Sequence, residues 1–437
     1  MPEDEQEMTA SRREGSHILG RVFGVRGSSV TLGLDRISMS NRLHVVTVGR
    51  FLKIHAGDMA LVGVVTDVST RGGSGSGEQE NIALAKVDLL GEIDSSSRAE
   101  PDFRRGVRHY PTIDDIATPL TAEELSLVFG SQDRKTISIG TLQQDSRIHA
   151  LVDVDEMLSK HFAVVGSTGV GKSSAVANIL KQTMRAYPDL RIFLIDAHNE
   201  YERSFGELAY VVNPNNLKLP FWLFSFEEIV DVLFGGRPGL QDEVEILAEV
   251  IPLAKTSYSQ LRNSDRAGLR KLDAKNIGYT VDTPVPYRLA DLISMIDERM
   301  GKLENRSSRM IYHKLISRIE TVSNDPRYVF MFEGANVGGD TMAEAISQLF
   351  RLPTNGKPMT IMQLAGFPAE VVDAVVSVLA RLAFDFGLWS DGSNALLFVC
   401  EEAHTRRPTA LRASFRRAAR SPGLLRKGAS TASISVL

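Results

Sequence analysis

The sequence predicts an α/β chain in which a parallel sheet carries a phosphate-binding loop at its edge and follows a small β-barrel. Three observations carry that expectation. Residues 161–181 run as a short apolar segment, the pattern GxxxxGK[ST] and a helix former–rich stretch, the succession a phosphate loop requires. Asn394-Ala-Leu-Leu-Phe-Val-Cys-Glu401-Glu402 is an apolar run that ends in two acids, placing charge at the carboxyl edge of a buried strand. Between His17 and Ile93, short alternating segments are separated by turn residues at the spacing of a small closed barrel.

The 437 residues allow two to three domains, and 43% apolar with 24% charged residues is an ordinary globular composition. A net charge of -4 means that nucleic acid must meet a local basic patch or an assembled pore. The single cysteine, Cys400, excludes an intramolecular disulfide and fits a reducing cytoplasm. No apolar run approaches membrane-spanning length, so no membrane partner is expected. The charged start MPEDEQEMTASRREG lacks a signal-peptide core and reads as a disordered tail over residues 1–15.

The barrel is expected over residues 16–100. HILGRVFGVRGSSVTLGL gives two strands around Arg26-Gly27-Ser28, and VTVGRFLKIHAGDMALVGVVTDVS gives two more, broken at Ala56-Gly57-Asp58. RGGSGSGEQE is flexible by composition, and NIALAKVDLLGEI resumes the strand pattern. No catalytic constellation appears there, so the barrel reads as structural or assembling. Residues 101–155 read as a connector. Its Arg104, Arg105 and Arg108, beside His109 and Tyr110, fit either phosphate contact or a solvated basic loop. LTAEELSLVFG is a short helix with a Thr121/Glu124 capping box, and KTISIGTLQQD and RIHALVDV are strands leading on.

The nucleotide domain is expected over residues 156–404. Residues 161–165 read as its first buried strand. Gly166, Ser167, Thr168, Gly169, Val170, Gly171, Lys172, Ser173 and Ser174 then form the cradle. Its glycines let backbone N–H groups wrap an anion at a helix N-terminus. Lys172 reaches the β- and γ-phosphates of ATP, and Ser173 places its hydroxyl on Mg²⁺. RIFLIDAHNEY supplies a second buried strand, from whose end Asp196, His198 and Glu200 emerge on the same edge. They serve either the Mg²⁺ and attacking water or the capping of the strand end, and both readings stay open. Four amphipathic helices over about 221–325 form an insertion, read as a lid or substrate-facing module. PMTIMQLAGFP is a further strand, and VVDAVVSVLARLAFDFGLW a long apolar helix over the sheet. At the acidic strand end, Glu401 stands where Asp is usual and supports the Mg²⁺ shell. Glu402 polarises the attacking water as general base.

HFAVVGSTGVGKSS, LIDAHNEY and LLFVCEEAH, in this order and after this barrel, resemble the HerA-type ATPases of the HerA/FtsK superfamily. The likeness runs from about His17 to His404. It implies a RecA-like P-loop NTPase sheet with a helical insertion behind a β-barrel, and a homo-hexameric ring that translocates double-stranded DNA by ATP hydrolysis. It further implies nucleotide contacts for Gly169, Gly171, Lys172 and Ser173, a hydrolytic role for Glu402, and Asp196 and Glu200 near the γ-phosphate. A partner of NurA-nuclease type or another effector enzyme, and a role in DNA end processing or phage defence, follow from the same likeness. The barrel disfavours a conjugative or segregation motor.

The tail, residues 405–437, breaks the pattern. It holds many arginines, no acid and no buried strand, where the family continues with a helix, a stretch like RIAKEGRKYG and a strand ending near a polar sensor. One permitted codon set for residues 429–437, read from the last base of its first codon, gives KYGVYLGL. The same offset carried back through residues 420–428 permits RIAKEGR. The tail therefore reads either as a basic DNA-binding extension or, more economically, as translation shifted by one base near Thr405. The shifted reading removes the strand between the phosphate-loop strand and the acidic strand, together with a trans-acting arginine finger. A nucleotide-binding but hydrolysis-deficient assembly or regulatory subunit is accordingly the alternative to an active motor.

Overall fold

The computed structural model describes residues 18–35, 45–71, 82–94, 101–130, 135–235, 241–266, 278–333, 342–390, 394–402 and 433–436. Two compact units divide the chain at Asp153 and Val154. The expected tail over 1–15, the loop RGGSGSGEQE and almost all of the basic tail lie outside the described residues.

The first unit is a closed barrel. Its strands are β1 (Gly20–Arg26), β2 (Ser29–Leu34), β3 (Phe51–Ala56), β4 (Met59–Arg71), β5 (Ile82–Asp94), β6 (Asp102–Arg105) and β7 (Ile116–Pro119). The ladder runs β2-β1-β7-β3-β4-β5, a β2–β5 pairing closes it, and β6 hangs on β5. Alternation makes the core: Leu52 and Ile54 of β3 are buried while their neighbours are not, and they meet Leu32, Leu61, Val87 and Ala117 inside. The stretch expected to be a connector therefore contributes a barrel wall, because β7 pairs antiparallel with both β1 and β3. Helix α1 (Ala122–Phe129) starts at the expected capping box, with Thr121 Oγ1 accepting from Glu124 N at 3.2 Å and Glu124 from Thr121 N at 2.8 Å. β8 (Thr136–Thr141) and β9 (His149–Asp153) form the expected hairpin pair.

The second unit is a parallel sheet in the order β11-β12-β10-β13-β14. Its strands are β10 (Arg191–Asp196), β11 (Ala209–Val212), β12 (Met359–Gln363), β13 (Leu396–Cys400) and β14 (Ser433–Val436). Central β10 is apolar on both faces, as a strand between two helical layers must be. Ile192 and Leu194 join one core cluster with Val176, Ala177 and Leu180 of α2 (Lys172–Ala186). Phe193 and Ile195 join the opposite cluster, which also holds the helical insertion. The insertion comprises α3 (Phe226–Phe234), α4 (Gln241–Arg266), α5 (Leu289–Gly301) and α6 (Arg306–Ser323). α7 (Ala369–Trp389) covers the same face with Val375, Val378, Leu379 and Leu382 fully or nearly buried. Within that apolar helix, Arg381 donates to Leu223 O at 2.6 Å and to Glu228 Oε2 at 3.2 Å, fixing the insertion to the sheet's cover.

Two expectations need correction. Residues 161–165 form no strand, and Val165 is 86% exposed. Phe162 and Val164 still pack on the α2-side cluster, so the segment keeps part of its apolar burial without a strand ladder. The tail, expected to be strandless, supplies β14, which pairs in parallel with β13 from Leu397↔Ser433 to Cys400↔Val436. β14 therefore stands at the sheet edge beside β13, where the sequence reading left no strand.

Candidate nucleotide site

The loop over residues 166–173 owes its shape to glycine. Gly169 and Gly171 adopt φ of +83° and +95°, the left-handed region in which a side chain costs about 1–2 kcal/mol. A methyl group on Gly166 would stand 2.8 Å from Val170 Cγ2, so the exposed valine side chain would have to turn aside. Lys172 begins α2 and folds back, its Nζ donating to Ser167 O at 3.1 Å. Gly171 is the N-cap and has no side chain, so no side chain caps the first turn of α2. Those N–H groups, together with the positive end of the helix, are exposed and suited to phosphate oxygens.

Asp196 ends β10 fully buried. Its Oδ1 accepts from Glu200 N and its Oδ2 from Tyr201 N, each at 3.1 Å. The carboxylate thus orders the turn 197–201, in which Asn199 has φ of +58°. His198 and Glu200 sit exposed on that turn. Glu401 lies just past β13 and is 9% exposed. Its Oε2 accepts from Ala197 N at 3.0 Å and its own N–H donates to Ile195 O at 3.2 Å, so the two strand ends are sewn together. Burial, reinforced by the charges of Asp196 and Glu200, pushes the Glu401 carboxyl above the usual carboxylate range, against the Ala197 N–H that favours ionisation. Glu402 follows half-buried with φ of +53°, a strained backbone for a non-glycine residue.

The same turn buries one residue that sequence reasoning passed over, Tyr201, whose backbone N–H donates to Asp196. Tyr201 is 2% exposed and joins the core cluster of Val176, Ala177 and Leu180 from α2. Burial, then the charge of Glu401, pushes its phenol far above the ordinary tyrosine value, so it stays protonated. The available signal was an aromatic residue closing an otherwise polar turn, five residues after the strand-end acid.

Among the described residues no cluster of three or more His, Cys, Asp or Glu could hold a metal by itself. A cation here depends on phosphate oxygens for most of its shell, which suits Mg²⁺ better than an all-protein cage does. The loop fits such a ligand: Gly169 and Gly171 hold its left-handed turns, its helix end has no side-chain cap, and the Ser173 hydroxyl stands on the first turn of α2. Ser173 would hold Mg²⁺ directly and Glu401 through its shell, and the ion would neutralise charge on the transferring phosphoryl group.

A family model described as "Helicase HerA, central domain" matches residues 137–383, more than half of the chain. This chain belongs to the HerA family. Among curated relatives, the DNA double-strand break repair helicase HerA of Pyrococcus furiosus is 29% identical over 43% of this chain and 29% of its own length. The protein of the same name from Sulfurisphaera tokodaii is 25% identical over 68% of this chain and 51% of its own. The chain thus spans about half or less of these relatives. The plasmid coupling protein TrwB, solved with ADP and Mg²⁺, aligns over 72% of this chain and 70% of its own at 11% identity and a TM-score of 0.40, too distant to carry an argument. No helix among the described residues of this HerA-family chain is long and apolar enough to cross a membrane.

Proposed function

We propose that this HerA-family chain binds Mg²⁺–ATP in the cradle of residues 166–174 and hydrolyses it to move along double-stranded DNA in the cytoplasm, as a homo-hexameric ring. The observation that supports it most is the glycine loop leading into the uncapped α2 N-terminus, together with the buried acidic strand ends Asp196 and Glu401 joined to one turn. In this reading Lys172 leaves Ser167 O to neutralise the γ-phosphate, and the α2 N–H groups hold the α- and β-phosphates. Glu402 takes the proton of the attacking water, and the phosphoryl group passes in line to that oxygen while ADP leaves. A NurA-type nuclease or another effector enzyme would use the motion in end processing or defence. The test is DNA-stimulated ATPase activity in purified protein and its loss in Lys172→Ala. Equal activity in that variant would refute the assignment.

A second reading is a nucleotide-binding subunit that does not turn ATP over. What favours it is the tail of residues 405–437, which holds no acid and stands where the family continues with a trans-acting arginine finger and a polar sensor. Single-turnover hydrolysis separates the two: product within one binding event supports the motor, and bound, intact ATP supports the subunit.

A further inference from the structure

Three arginines and a histidine stand together on the barrel, outside the residues 137–383 that match the HerA central domain. Arg104 and Arg105 end β6, and Arg108 and His109 follow in the chain leading to β7. That loop is tied down residue by residue. Gly106, with φ of +88°, donates its N–H to Leu90 O at 2.9 Å, and Val107 packs on the barrel core. Glu92 of β5, only 4% exposed, accepts from the backbone N–H groups of Arg108 and of His109, the second at 2.6 Å. Its Oε2 also lies 3.3 Å from His109 Nδ1. A buried carboxylate needs such donors, and here the loop supplies them. The arginine side chains stay exposed on this fixed backbone. Arg104 meets Asp102 at 3.7 Å in an exposed pair that holds weakly, and among the described residues no carboxylate pairs with Arg105 or Arg108. Together with Glu92 and Asp94, the four basic residues line a cavity of about 280 Å³.

We propose that this cavity takes a phosphate of the DNA backbone, so that the barrel, and not only the nucleotide-binding unit, holds DNA. Three guanidiniums face two carboxylates, of which Glu92 is already bound to N–H groups, so the local charge favours an anion. Guanidinium forks match phosphate oxygens in pairs, and the space suits one phosphate rather than a whole cofactor. A chain with a net charge of -4 does not attract DNA as a whole, so contact falls to a local patch of this kind. Tyr110, 55% exposed and next to His109, adds a hydroxyl of the class that joins phosphate contacts. The anchoring by Leu90 and Glu92 orders the loop before DNA arrives, which lowers the cost of binding. This inference rests on the DNA-binding reading above.

The experiment measures binding of the full chain to fluorescein-labelled double-stranded DNA by anisotropy, across a series of chloride concentrations. The proteins are wild type, Arg105→Ala, Arg108→Ala, their double variant, Glu92→Leu, and Lys86→Ala as an exposed cation elsewhere on β5. Each phosphate contact releases counterions. Each arginine removed should therefore lower the slope of log affinity against log salt by about one, and the double variant should bind about tenfold more weakly at moderate salt. Lys86→Ala should do neither. Urea midpoints of the arginine variants should match wild type, because those side chains are exposed. Glu92→Leu separates a built loop from a merely solvated one. It removes a negative charge, so a solvated basic loop would bind DNA more tightly, whereas a loop that needs its anchor binds more weakly. Tighter binding by Glu92→Leu overturns the proposal. If wild type binds no DNA, the DNA-binding reading falls and this inference with it. If wild type binds DNA and the double variant matches Lys86→Ala in affinity and slope, this inference alone falls. Inorganic phosphate titrated by calorimetry distinguishes a free anion: phosphate binding lost in a double variant that keeps wild-type DNA affinity assigns the cavity to that anion and contradicts the proposal.

Discussion

Replacing Arg381 by methionine tests how the helical insertion is held to the sheet. The guanidinium enters an apolar helix and shares one nitrogen between Leu223 O at 2.6 Å and Glu228 Oε2 at 3.2 Å, with side-chain exposures of 21% and 10% for the ion pair. Glu228 Oε2 also accepts from Ser225 N at 2.7 Å, so the carboxylate retains one partner when the arginine is gone. Removing one member of a buried pair costs about 3–5 kcal/mol, and the remaining exposure and the retained N–H bring the expected loss to about 2–3 kcal/mol. Adding Glu228→Gln removes the stranded charge while keeping an acceptor for Ser225, and should restore at least half of that loss. Urea unfolding followed by tryptophan fluorescence suits the measurement: Trp222 is buried beside Leu223, and Trp389 ends the helix that carries Arg381. A single variant within about 0.5 kcal/mol of wild type, or a double variant no better than the single, would refute the reasoning.

Other expectations follow from the same geometry. Gly171→Ala forces a side chain into φ of +95° at the N-cap of α2, and should weaken ATP binding well beyond its cost of about 1–2 kcal/mol in stability, measured by calorimetry against thermal melts. Lys255 is 1% exposed, and its Nζ donates to Val281 O at 2.6 Å and Thr283 O at 2.7 Å; Lys255→Met should cost about 2–4 kcal/mol by stranding those carbonyls. Burial pushes the Lys255 amine down to about 8. Between there and the ordinary lysine value the unfolded chain holds a proton that the folded chain has shed, so its contribution to stability should rise with pH above about 8 and be level below. A pH series of urea midpoints in which wild type and Lys255→Met run parallel would contradict that. Glu402→Gln should keep Mg²⁺–ATP binding and reduce hydrolysis at least a hundredfold, and single-turnover rates equal to wild type would remove Glu402 from the chemistry.

Local patterns made much of this legible. Ile192 to Ile195 and Leu396 to Cys400 are continuous apolar runs because a central parallel strand is covered on both faces, so the runs and the acids at their ends marked the carboxyl edge of the sheet. The capping box at Thr121 needs only four residues and was read directly. What failed was set by partners distant in sequence. Residues 161–165 are apolar enough for a buried strand, but pairing depends on a neighbour that no local window contains. β7 has four residues and ends on Pro119, so its place in the barrel wall rests on β1 and β3 lying on either side of it. Lys255 looks like a solvated helix residue until the carbonyls of Thr280, Val281 and Thr283 close over it. Tyr201 is one aromatic among polar neighbours, and only the approach of α2 gives its ring an apolar wall.

The central claim is that residues 166–174 cradle the phosphates of ATP. Calorimetric titration of Mg²⁺–ATP into the full chain and into Lys172→Ala tests it most directly. The account predicts one site per chain in wild type and no detectable binding in the variant. Binding of equal strength in both, or none in wild type, would contradict it.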